Sequence, residues 1–101
     1  MSVNLKAITS RLGYEQITGL SIVKGLTVPG KDVNGLLCTP SIAIICVETQ
    51  AVRWRDDGID PTASVGMPLA AGATLQYDGD PKYIKFIEQV AGAKINVSYY
   101  V

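Results

Sequence analysis

The chain has 101 residues, with nine basic and nine acidic side chains, no histidine, 48% hydrophobic residues and 18% charged ones. That length suits one domain with one core, so residues 1–101 are read as a single unit. The apolar share argues against disorder, and balanced, scattered charge excludes the field that draws in nucleic acid or an anionic membrane.

In the first forty residues, the stretches Val3 to Ile8, Tyr14 to Leu20 and Ser21 to Val28 each carry enough β-branched residues for a short strand. The run from Ser41 to Glu48 is apolar on both alternating faces, which predicts a central strand covered on both sides. Ala51 to Arg55 alternates cleanly, with Val52 and Trp54 on one face and Arg53 and Arg55 on the other. Thr49-Gln50 between these runs predicts a hairpin. Asp56-Asp57-Gly58-Ile59-Asp60-Pro61 then opens a loop that lasts to about Pro68.

Thr74 to Tyr77 reads as a short strand, ended by the turn Asp78-Gly79-Asp80-Pro81. The next strand, Tyr83 to Val90, places Ile84, Phe86 and Val90 on one face. Ala91-Gly92-Ala93 predicts a hairpin to a last strand, Lys94 to Tyr100, with Ile95, Val97 and Tyr99 inward. Seven or eight short strands at even spacing, with glycine or proline in nearly every longer window, predict an all-β antiparallel β-sandwich, jelly-roll-like, without helices. A domain this small cannot hide so many apolar side chains, so part of the surface is expected to lie against a neighbour.

The longest apolar stretch, Ile42 to Val47, is about a third of a bilayer span, and Met1 to Lys6 lacks the apolar region of a signal peptide. Synthesis in the cytosol is therefore expected. Cys38 and Cys46, without histidine or a second cysteine pair, supply too few soft ligands for zinc and read as buried free thiols in preference to a disulfide, which a cytosolic origin disfavours. Asn96-Val97-Ser98 fits a glycosylation triplet, read here as a chance match.

Without histidine the common nucleophilic triads have no base, and the glycines form no phosphate cradle. Asp56 and Asp57 with Asp78 and Asp80 would form a carboxylate pair only if their loops met, and each lies in a turn beside glycine or proline. Asp56, Asp57 and Asp60 resemble a fragment of a calcium loop that lacks its terminal glutamate. The expectation is no catalytic residues, no cofactor and no enzyme. Trp54 between two arginines suits a subunit interface better than a sugar- or base-stacking track, and Tyr99 and Tyr100 admit the same reading.

From Ala51 onward the chain resembles small virion-associated head or decoration proteins of tailed bacteriophages and prophages. The likeness lies in Ala51-Val52-Arg53-Trp54-Arg55-Asp56-Asp57-Gly58, Pro61-Thr62-Ala63, Val65-Gly66-Met67-Pro68-Leu69, Gly72, and Ala93 through Tyr100. This resemblance covers about half the chain. It implies a non-enzymatic sandwich, made in the bacterial cytoplasm, that binds a capsid or other virion surface in many copies without a cofactor. The expected oligomer is a closed ring, a trimer by preference, with Arg53, Trp54, Arg55 and Tyr100 as contacts. The alternative is a carbohydrate-binding module of a phage host-recognition apparatus, which would need more exposed aromatics.

Overall fold

Alternating burial organises the longest strands. The computed structural model describes residues 11–30, 37 and 39–101. Among them are eight strands and no helix: β1 Arg11–Ile17, β2 Lys24–Gly25, β3 Ile42–Glu48, β4 Val52–Arg55, β5 Met67–Leu69, β6 Thr74–Tyr77, β7 Lys85–Glu88 and β8 Lys94–Tyr100. They form two antiparallel four-stranded sheets, ordered β1-β8-β3-β6 and β2-β7-β4-β5. The expected Val3–Ile8 strand and Cys38 lie outside the described residues.

Strands β3 and β8 show why the sheets stack. In β3, Ala43, Ile45 and Val47 are buried while Ile42, Ile44 and Cys46 are half-buried, so the cover expected on both faces is full on one only. In β8, Ile95, Val97 and Tyr99 point inward as expected. Opposite them, Val52 and Phe86 come from the second sheet, and Leu20, Ile84 and Ala93 from the links. Burying each large aliphatic or aromatic side chain contributes about 1.5–3 kcal/mol. No polar or charged residue is buried with them among the described residues.

Both predicted hairpins are corrected. β3 belongs to one sheet and β4 to the other, and so do β8 and β7, which makes residues 49–51 and 89–93 crossings between sheets. Thr49 turns the first crossing at φ 69°, a costly conformation for a β-branched residue. Its hydroxyl donates to the Gly92 carbonyl at 2.5 Å, and the Gln89 N–H donates to the Ala51 carbonyl at 2.9 Å, so the two crossings brace one another. Val90, expected inward, is 53% exposed because the chain has already left the sheet at Glu88.

Among the described strands only β4 and β5 are joined as a hairpin; every other consecutive pair lies in different sheets. One end of the sandwich therefore carries the short links 18–23, 49–51, 70–73 and 89–93, and the other carries the longer ones 56–66 and 78–84 and the described ends of link 26–41. Long connections on a rigid scaffold are where binding residues concentrate.

The corrected position of Val90 is directly testable. Ile95→Ala, in the core, is expected to cost about 2–5 kcal/mol, and Val90→Ala within about 0.5 kcal/mol of zero. Urea midpoints at unchanged m-value measure both, and a large loss at Val90 would restore the inward assignment.

Candidate functional site

Loop 56–66 is the best-defined feature of the long-link end, because side chains of the second sheet hold it down. Arg53 and Arg55 project from the outer face of β4. Arg53 donates to the carbonyls of Ala63 at 3.2 Å and Gly66 at 2.8 Å. The Gln89 amide, with its oxygen toward Arg53, accepts from Nη2 at 3.1 Å. Arg55 forms a two-pronged pair with Asp57 at 3.0 and 2.5 Å, and Lys85 on β7 meets Asp60 at 3.3 Å. These exposed ion pairs are individually weak, but three cations contact one loop.

Backbone packing completes the clamp. Pro61 is fully buried, and at Gly66, with φ 141°, an added Cβ would lie 3.1 Å from the Trp54 carbonyl oxygen and 3.2 Å from Pro61. Only glycine accommodates both the close approach and the left-handed conformation. The loop then turns into β5, a short edge strand whose Pro68 is tolerated there and was not foreseen as a strand residue.

Trp54 points the other way. It is half-buried against the core and meets Tyr77 edge-on, with ring centroids 6.1 Å apart at 72°. The Tyr77 hydroxyl donates to Asp56 at 2.8 Å, tying β6 to the start of loop 56–66. A hollow opens beside this cluster, lined by Trp54, Arg55, Asp56, Asp57, Gly66 and Met67. Three apolar side chains of the same hairpin stand in solvent: Ile59 at 58%, Val65 at 53% and Met67 at 57% exposure.

Of the four expected contact residues, Trp54 and Arg55 line this hollow. Arg53 braces its loop. Tyr100 lies on the outer face of the other sheet, opposite Ile42 and hydrogen-bonded to Ser98 at 3.1 Å. The apolar trio on the hairpin was missed because Ile59, Val65 and Met67 sit in a turn-rich stretch without periodicity. Their signal was exposure on a long loop between two paired strands.

The two aspartate loops do meet at this end, but their carboxylates have separate partners. Asp56 binds Tyr77, Asp57 binds Arg55, and Asp80 accepts the Lys82 N–H at 3.0 Å in a turn. No group of three or more His, Cys, Asp or Glu side chains is placed to hold a metal ion among the described residues. Cys46 is a half-buried free thiol 3.4 Å from the Thr74 hydroxyl. The Asn96 carboxamide is occupied by Tyr14, Gln16 and Glu48 at 2.5, 3.0 and 2.5 Å.

A second hollow lies under β1, lined by Gly13, Tyr14, Glu15, Thr27, Pro29 and Tyr99. Its centre is the Glu15 carboxylate, which accepts from the Thr27 N–H at 2.9 Å, from the Thr27 hydroxyl at 2.7 Å and from the Tyr99 hydroxyl. All three donors come from this chain, so the carboxylate anchors the start of link 26–41.

Burial first, and then the Asp56 hydrogen bond and nearby carboxylates, push the Tyr77 phenol up to about 12. Tyr99 is raised further, by burial first and then by Glu15. A phenol normally ionises near 10, so folding is favoured in full below about pH 10 and loses this contribution as pH climbs toward 12. Tyr77→Phe is expected to flatten the alkaline fall of the urea midpoint and to remove one late-titrating tyrosine from the tyrosinate absorbance. Identical alkaline slopes in both proteins would refute the assignment. Separately, Arg53→Lys should speed amide exchange across residues 59–66 by about tenfold or more, since a single ammonium cannot span two carbonyls. Unchanged exchange would mean the loop is held without Arg53.

No helix of the described residues is long and apolar enough to cross a membrane. A scan against family models and searches of curated proteins and of solved structures found no match.

Proposed function

We propose that this chain is a structural protein of a tailed-phage virion, made in the host cytoplasm, which self-associates and docks on a capsid or other virion surface through its long-link end. The observation that carries the reading is the β4–β5 hairpin: a loop clamped by Arg53, Arg55 and Lys85 that holds Ile59, Val65 and Met67 in solvent. Isolated exposed apolar residues are ordinary, but three on one immobilised hairpin beside a tryptophan-lined hollow suit a docking surface.

Strand pairing supports the finer, jelly-roll reading. β1 pairs with β8, β2 with β7, β3 with β6 and β4 with β5, the pattern made when one long folded-over ribbon of strand pairs wraps into two sheets. That architecture recurs in capsid proteins and lectins, so it does not choose a function by itself. The resemblance to phage head proteins falls on residues 51–58, 61–63, 65–69, 72 and 93–100, which take in Val65 and Met67 of the proposed docking hairpin but not Ile59. Neither a cofactor nor a chemical step enters this reading. A trimer is the expected assembly, and many weak contacts on a symmetric shell would give high occupancy.

Light scattering behind a sizing column, over a range of concentrations, is expected to return a stable multiple of the 10.8 kDa chain, three being the favoured one. Ile59→Asp with Met67→Asp should lower that mass or abolish shell binding without moving the urea midpoint, because both side chains are already in solvent. A monomer whose two-site variant binds virion surfaces as well as the parent would overturn the proposal.

A further inference from the structure

We propose that, of the two Asp-Gly pairs among the described residues, Asp78-Gly79 and not Asp57-Gly58 is the one that isomerises spontaneously to isoaspartate in the folded chain. Two described aspartates precede a glycine, Asp57-Gly58 and Asp78-Gly79, and by sequence alone they are equivalent. The reaction is general to such pairs. The glycine amide nitrogen attacks the aspartate side-chain carboxyl carbon, the N–H proton and a hydroxyl leave together as water, and a five-membered succinimide closes. Water then adds at the former main-chain carbonyl and opens the ring, so the chain runs on through the β-carboxyl. No atom is gained or lost overall, and water is the only co-reactant.

Ring closure needs a carboxyl group that is neutral, free to rotate onto the next nitrogen, and followed by a residue without a Cβ. At Asp57 the first two conditions fail. Its Oδ2 accepts from Arg55 Nη2 at 2.5 Å, while Oδ1 accepts from Arg55 Nε at 3.0 Å and from the Ile59 N–H at 3.4 Å. The Arg55 hydrogen bonds also hold this carboxyl below the usual carboxylate range, which depletes the reactive neutral form. Asp78 differs in its freedom to move. It is exposed, and among the described residues neither its carboxylate nor the Gly79 N–H has a hydrogen-bond partner.

The fold also explains why residue 79 has to be the permissive one. A Cβ there would overlap the Tyr77 hydroxyl and ring carbon Cζ, and Asp56 holds that ring in place. The contact that ties β6 to loop 56–66 therefore keeps a glycine next to Asp78. Isomerisation would lengthen the backbone by one methylene in a turn whose next residues, Pro81 and Ile84, are fully buried.

The test is ageing of the purified, folded protein at mildly acidic and neutral pH, with isoaspartate at each position quantified by tandem mass spectrometry. The same chain kept unfolded in urea is the control. Several-fold more isoaspartate at 78 than at 57 is expected in the folded protein, and comparable amounts in the unfolded one. Arg55→Ala should raise the yield at 57, and Asp78→Glu, which cannot close the five-membered ring, should remove the signal at 78. Equal or greater reaction at 57 in the folded chain, or the same ratio folded and unfolded, would overturn the proposal.

Discussion

Everything in this sandwich depends on β8, the last strand in the chain and an inner one in its sheet. β8 pairs with β1 along one side and with β3 along the other, from Ile42 opposite Tyr100 to Glu48 opposite Lys94. Its inward row of Ile95, Val97 and Tyr99 is buried against the second sheet. Without β8, β1 has no sheet partner among the described strands and the core loses its middle. The β1–β8 pairing joins residues 78 (Ile17 with Ile95) to 89 (Arg11 with Tyr100) positions apart, so the loop-closure cost is met before the contacts that offset it form. The fold is non-local in the sense that slows folding, and the short crossings at 49–51 and 89–93 are where local structure reduces that cost.

Local pattern and global order were legible to different degrees. Alternation located β3, β6 and β8 because a half-buried strand needs period two whatever it pairs with. Pairing was not legible from turn residues. Thr49-Gln50 and Ala91-Gly92-Ala93 reverse the chain as a hairpin would, yet each carries it to the opposite sheet, and the residue that commits the first, Thr49 at φ 69°, is one that propensity would keep out of a left-handed turn. A jelly-roll-like expectation already disfavoured those hairpins, since in such a wrap consecutive strands face one another across the core. Pro68 and the turn-rich stretch before it hid β5, and Ser21 to Val28, expected as a strand, pairs only over Lys24–Gly25.

At the candidate site, residue types were legible while their directions were not. Arg53, Trp54 and Arg55 stood out as a constellation, but a strand sends neighbours to opposite faces. Trp54 therefore goes to Tyr77 and the core, and the two arginines go to the outer face and loop 56–66. Planar, many-donor arginine suits a backbone clamp as well as it suits a partner surface, and sequence cannot separate the two uses. What it could not supply at all was the location of the loop tip relative to link 78–84, which the Tyr77–Asp56 contact brings to the same end.

The apolar excess that first suggested a covered surface has a definite distribution. The core absorbs one face of each long strand, and the outer rows of β3 and β8 are half-buried mixtures in which Ile42 and Ile44 stand beside Ser98, Tyr100 and Gln76. Ile59, Val65 and Met67 differ because their loop is fixed without them: Arg53, Arg55, Lys85, Pro61 and Gly66 supply the contacts that hold it. More than half of each of these three residues stands in solvent, available to the docking surface proposed above. A rigid loop also loses less conformational entropy on docking than a mobile one. In the docking proposed above, the clamp on the outer face of β4 and the exposed trio of the same hairpin would act together, internal charge pairing preorganising an apolar contact.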